Sequence, residues 1–224
     1  MRENLHVAMS AEQYHHYVSS ATGPWDELLV RRFCEEYSPS PRGRVIIDVG
    51  TGTAVLPIML AEMPQFADAV FIGTDLFTDM VETAQRTIQQ RELENRVSAV
   101  ECDIHKLPFD DNYADYVISR STIHHWADPV QAFREIYRVL QPGGLAMMHE
   151  PRRDPSPNAL EDFNARRRAA NFEPNDLREK YTAAEVTEFL KQAGIGGCSR
   201  IYAPDTGPAS MGFEVQIRKP DIQV

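Results

Sequence analysis

Short, mostly apolar runs alternate along this chain with stretches whose apolar positions recur every three or four residues. The runs are Val45–Val49, Ala69–Gly73, Val97–Glu101, Tyr116–Ser119 and Leu145–His149. Several are nearly continuous, as expected of strands covered on both faces by helices. The best-marked helix between them starts at Asp128-Pro129. Aspartate supplies an N-cap acceptor, and proline suits the first turn because an amide there would have no helical partner. Val130, Phe133, Ile136, Tyr137 and Leu140 then form an apolar stripe, and Gln141-Pro-Gly-Gly144 ends the helix and turns the chain into the next strand. Strand and helix in this rhythm predict a parallel sheet with right-handed crossovers.

Loop-like stretches at Ser38–Gly43 and Pro151–Pro157 divide the chain into three regions. The first, to about residue 40, reads as helical and carries Tyr14, Tyr17, Trp25 and Phe33. The last holds a helix opened by a Thr182/Glu185 capping box, with Val186, Phe189, Leu190 and Ala193 facing inward and Gly194 stopping it. Strands near Cys198–Ala203 and Gly212–Ile217, with a loop and hairpin around Pro208, complete the sheet. The expected fold is α/β: a Rossmann-like three-layer sandwich with a mostly parallel seven-stranded sheet, in a single domain.

Composition narrows the partners. With 224 residues the chain has the size of one domain, and 42% hydrophobic with 25% charged residues is ordinary for a globular protein. A formal charge of −10 repels a phosphate backbone, so a small-molecule substrate is expected and a nucleic acid is not. The one basic run, Arg166 to Arg168, reads as a solvated helix face. No apolar stretch has membrane-spanning length and the N-terminus lacks a signal-peptide pattern, so no membrane partner and a cytoplasmic home are expected. Cys34, Cys102 and Cys198 form no CxxC pair, which suits neither a disulfide framework nor a zinc site.

Three strand ends carry the chemistry. The first strand runs through Asp48 into Gly50 and Gly52, whose freedom permits a tight turn and a close backbone approach to a ligand. The second ends in Gly73-Thr-Asp75, where a carboxylate can accept both hydroxyls of a ribose. The third ends in Glu101-Cys-Asp103-Ile104, an acid for an exocyclic amine beside an apolar face. Any one acid is explicable as a helix cap; three such features at successive strand ends point to a nucleoside.

These segments continue with Asp115–Arg120, His124-His-Trp126 and Arg138–Gly144. Together, over about Arg44 to Pro151, they resemble the class I S-adenosylmethionine-dependent methyltransferases, especially the ubiquinone/menaquinone branch. The resemblance implies S-adenosylmethionine as cofactor. Gly50 and Gly52 would lie against its methionine portion, with Asp48 ordering the loop. Asp75 would bind the ribose, Leu76 and Phe77 would flank the adenosine, and Asp103 would meet the adenine amine with Ile104 on the ring. Arg120 would form the floor between cofactor and substrate. Tyr14 and Tyr17 would cover the cofactor from a lid over 1–40, above a cofactor core over 41–151 and a substrate side over 152–224. Where the family often has a third loop glycine this chain has Ala54, read as tolerated variation.

Methyl transfer needs in-line alignment, and a protonated acceptor also needs a base. The catalytic candidates are His124, Tyr17 and Arg120. A metal held by His124, His125, His149 and Glu150 is conceivable, but nothing in their spacing demands it, so none is expected. Two other readings stay open: a same-fold enzyme reacting the aminocarboxypropyl end of the cofactor and releasing methylthioadenosine, and a non-catalytic binding subunit. Pairing of lid helices would give a homodimer. The acceptor itself is not legible.

Overall fold

The computed structural model describes residues 10–11, 23–169, 173–174, 177–206 and 208–221. Among them, seven strands form one sheet: β1 (Arg44–Val49), β2 (Ala69–Asp75), β3 (Val97–Glu101), β4 (Ala114–Arg120), β5 (Leu140–Pro151), β6 (Ser199–Tyr202) and β7 (Gly212–Arg218). Their order is β3-β2-β1-β4-β5-β7-β6. Only β7 runs against its neighbours. The helices are α1 (Gly23–Glu36), α2 (Val55–Ala61), α3 (Thr78–Gln90), α4 (Pro129–Val139), α5 (Pro157–Ala169) and α6 (Ala183–Gln192).

Alternation along each strand builds two cores. Ile47, Val49, Val117, Ala146 and Met148 face one side, where α4 and α6 add Phe133, Ile136, Val139, Val186 and Leu190. Their sequence neighbours Ile46, Tyr116, Ile118, Leu145 and Met147 face the other, against Leu29 and Phe33 of α1, Leu56 and Leu60 of α2, and Val81 and Ile88 of α3. This is the expected three-layer sandwich. The Asp128 side chain accepts from the Gln131 amide at the start of α4, and the Thr182/Glu185 capping box opens α6.

The departures from expectation are local. The segment Gly23–Glu36 is helical and also contributes to the core: Phe33 stacks on Phe66 at 5.6 Å and meets the edge of Tyr116 at 5.3 Å. Tyr14, Tyr17 and the side chain of Trp25 lie outside the described residues. Gln141–Gly144 does end α4, yet it belongs to β5, looping out between the pairs Ala114↔Leu140 and Tyr116↔Leu145. Lys219 stabilises this corner by donating to the carbonyls of Tyr137 (2.9 Å) and Leu140 (2.7 Å), a cation at a helix C-terminus. In the Arg166–Arg168 run only the outer two are solvated; Arg167 is buried and donates to the Glu173 carbonyl at 2.6 Å.

After β3 the chain crosses to the far side of β1 to lay down β4. The carboxyl ends of β1 and β4 therefore border a topological switch point, where an open α/β sheet leaves a crevice for ligand.

Candidate active site

The loop after β1 turns through three left-handed residues, Gly50 (φ 69°), Gly52 (φ 55°) and Ala54 (φ 59°). Its hydrogen bonds are internal to the strand ends. Thr51 donates its hydroxyl to the buried Asp48 carboxylate at 2.7 Å and its amide to the Thr74 carbonyl at 2.9 Å. At Gly50 the close approach is to the protein itself: a Cβ there would lie 2.4 Å from Cγ2 of Thr122, beyond β4. Ala54 takes a conformation that favours glycine and serves as the cap of α2, so the residue that replaces the family's third glycine sits under strain.

Asp75 ties this loop to the end of β2. One carboxylate oxygen accepts the Gly52 amide at 2.8 Å and the other the Phe77 amide at 3.1 Å. A carboxylate offers about four acceptor positions, and with the Leu76 amide also bearing on it some capacity remains for a ribose hydroxyl. Burial pushes the Asp75 carboxyl above the usual range, against the lowering effect of the Phe77 and Gly52 amides. Leu76, next to it, leaves an apolar side chain 46% exposed. At the end of β3, Asp103 caps a short turn over Ile104–Lys106 and contacts the His105 ring. Burial alone would raise its carboxyl; the bonds from the His105 amide and ring hold it below the usual range. Asp103 is thus a cap and an outward-facing acid at once, with Ile104 half-buried beside it. Burial pushes the thiol of neighbouring Cys102 up to about 11, which favours the protonated form at neutral pH.

Asp48, Gly50, Thr51, Thr53, Val55, Leu56 and Arg120 line one cleft. Thr51, Thr53 and Thr122 were not singled out from the sequence, where a threonine beside a loop glycine carries no signal of its own. His124 lies on a short turn over Ile123–His125, two residues past Thr122. It is 4% exposed, its Nδ1 contacts the wholly buried Glu150 carboxylate, and its Nε2 meets Lys180 Nζ at 2.5 Å. Lys180 lies 56 residues away in a region without a motif, and only the fold reveals it. His149 stands apart from this group, paired at 2.9 Å with Glu214, which Arg32 also holds. Among the described residues no group of three or more His, Cys, Asp or Glu side chains is arranged to hold a metal ion. Among them, too, no helix is long and apolar enough to cross a membrane.

A glycine-turn loop at the switch point, an acid with spare acceptor capacity at the end of β2 beside an exposed leucine, and a second acid over an isoleucine at the end of β3 fit S-adenosylmethionine. These features stand together at the switch point of a Rossmann-like three-layer fold. Residues 47–148 match the family described as "Methyltransferase domain". It is 38% identical over 124 residues to a demethylmenaquinone methyltransferase of Thermus thermophilus, covering 55% of this chain and 54% of that protein. The matched stretch thus spans about half the length of that relative. A demethylmenaquinone methyltransferase of Chlorobaculum tepidum is 25% identical over 204 residues, covering 84% of this chain and 81% of that one. In fold, the chain is similar to a proposed S-adenosyl-L-methionine-dependent methyltransferase of Methanococcus maripaludis, with TM-score 0.72, 24% identity, and coverage of 96% of this chain and 94% of that one.

Proposed function

We propose that this protein transfers the methyl group of S-adenosylmethionine to a quinone-type small molecule. The observation that carries the reading is the similarity to two demethylmenaquinone methyltransferases of a chain whose β1, β2 and β3 ends carry Asp48, Asp75 and Asp103. S-adenosylmethionine, when bound, supplies a methyl group made electrophilic by the sulfonium.

In this reading the chain's residues bind and align. Asp48, Gly50 and Gly52 border the methionine portion, Asp75 accepts the ribose hydroxyls beside Leu76, and Asp103 with Ile104 receives the adenine. Arg120 separates cofactor from acceptor, and Tyr14 and Tyr17 close a lid that excludes water and turns aromatic faces toward the cation. Alignment of nucleophile, carbon and leaving group provides much of the acceleration by itself. His124 acts from behind the acceptor pocket. The whole chain works as one domain in the cytoplasm, and pairing of the lids gives a homodimer.

The test is to incubate the protein with S-adenosylmethionine and reduced naphthoquinone acceptors, or none, and to identify the nucleoside product by mass spectrometry. Acceptor-dependent adenosylhomocysteine is expected, and Asp75→Ala should lose it together with cofactor binding. Enzymatic methylthioadenosine formed without any acceptor would overturn the reading.

A further inference from the structure

Asp75 and Asp103 leave neighbouring strand ends. β2 and β3 pair in register as far as Asp75↔Glu101, and the Cys102 amide then donates to the Asp75 carbonyl at 2.9 Å. Asp103 follows this bond by one residue, beside the carboxylate that also holds the loop after β1. Its side chain is 54% exposed there, whereas that of His105 is only 22% exposed.

The bonds to Asp103 are one-sided. Its Oδ1 accepts the His105 amide at 2.9 Å and also meets Nδ1 of the His105 ring at 2.5 Å. Capping the short turn requires only the amide bond. The ring adds a second bond to the same oxygen, and its far side sets the proton. There Nε2 accepts the Asp128 amide at 3.0 Å, so that nitrogen is unprotonated. The neutral imidazole then carries its proton on Nδ1 and donates it to Oδ1. Asp128 is itself the cap of α4, and the Gln131 side chain donates to the His105 carbonyl at 3.3 Å, so the start of α4 anchors the ring. Two donors on Oδ1 hold the plane of the carboxylate and leave Oδ2 without a protein partner among the described residues.

We propose that His105 is a positioning residue for recognition of the cofactor base: it holds the Asp103 carboxylate so that Oδ2 accepts the exocyclic amine of adenine and rejects a base with a carbonyl oxygen in that place. The proposal rests on the methyl-transfer reading for the identity of the cofactor. A carboxylate already held in its binding orientation spends less of the interaction on ordering itself. It also discriminates better, because turning away from a mismatched oxygen breaks the bond from Nδ1, whereas an untethered aspartate rotates freely.

The experiment compares two probes by titration calorimetry: S-adenosylhomocysteine, and S-inosylhomocysteine, whose base has a carbonyl oxygen where adenine has its amine. The wild-type protein should prefer the adenosyl compound on the order of tenfold or more, as one bond to a charged acceptor provides. Asp103→Ala should abolish that preference. His105→Leu should weaken the adenosyl compound about fivefold and leave the inosyl compound no weaker, whereas a merely structural role would weaken both alike. His105→Asn restores a donor near the place of Nδ1 and should recover most of the loss. His105→Gln keeps an acceptor for the Asp128 amide but no donor for Oδ1, so it should behave like His105→Leu with the fold retained, as judged by circular dichroism. Equal wild-type affinities, a full preference in both His105→Leu and His105→Gln, or an equal loss for both compounds overturns the proposal while the methyl-transfer reading stands. Failure of that reading looks different: the wild type binds neither compound, and the proposal falls with it.

Discussion

Replacing Gly50 by alanine tests how the loop after β1 is held. Two costs add. At φ 69° an L-residue is strained by about 1–2 kcal/mol. The new methyl would also sit 2.4 Å from Cγ2 and 2.9 Å from Cβ of Thr122. Thr122 cannot simply rotate away, because it is buried and its hydroxyl meets Ser119 Oγ, which donates to the Val49 carbonyl at 2.8 Å. Forcing a methyl into such packing costs about 1–3 kcal/mol. Gly50→Ala should therefore lose about 2–5 kcal/mol, or roughly 5–15 °C in melting temperature for a chain of this size. Calorimetric melts read the total, and a double-mutant cycle separates its parts. Thr122→Ser removes Cγ2 and leaves the hydroxyl, so in its background the steric share shrinks while the backbone strain stays. The coupling between the two substitutions should exceed about 1 kcal/mol. Additivity within about 0.5 kcal/mol would refute the steric half of the reasoning and leave backbone strain alone.

Three further outcomes follow from equally local features. Ala54→Gly relieves about 1–2 kcal/mol of strain but gives up about 0.8 kcal/mol of methyl burial and about 0.5–1 kcal/mol of unfolded-chain entropy. Its melting temperature should thus stay near wild type, in contrast to Gly50→Ala. Phe33→Ala opens the aromatic cluster with Phe66 and Tyr116 and should cost about 3–5 kcal/mol in denaturant unfolding. Burial would raise the Glu214 carboxyl, yet bonds from His149 and Arg32 outweigh it and hold it at about 2, below its ordinary 4.5. A depressed folded-state value stabilises above the ordinary one, so on the order of 3 kcal/mol should be lost as pH falls from near 4.5 toward 2. Glu214→Gln should flatten that limb of an acid-unfolding curve, and an unchanged limb would assign the acid lability elsewhere.

What the sequence made legible was what short-range pattern encodes. Both caps, Asp128 and the Thr182/Glu185 box, and the seven strands, apart from the start of β5 at Leu140, follow from residues within a few places of one another. The three acids at strand ends were readable for the same reason, since a parallel sheet brings successive strand ends to one edge. Contacts between distant segments left no such trace. Gly50 reads as a glycine permitting close approach of a ligand and does line the cleft; the packing of Thr122 where a Cβ would sit left no mark in the sequence. His124 reads as a catalytic candidate at the sheet edge with no partner in view, and the fold brings the buried Glu150 and distant Lys180 to its two ring nitrogens. Ala54 shows where a local rule and the fold disagree: its propensity opposes φ 59°, and the amide bond from Gly52 to Asp75 helps fix the loop that imposes it. That bond joins the loop to the ribose-binding candidate in one unit. Loop geometry and nucleoside affinity should therefore fail together when Asp75 is removed.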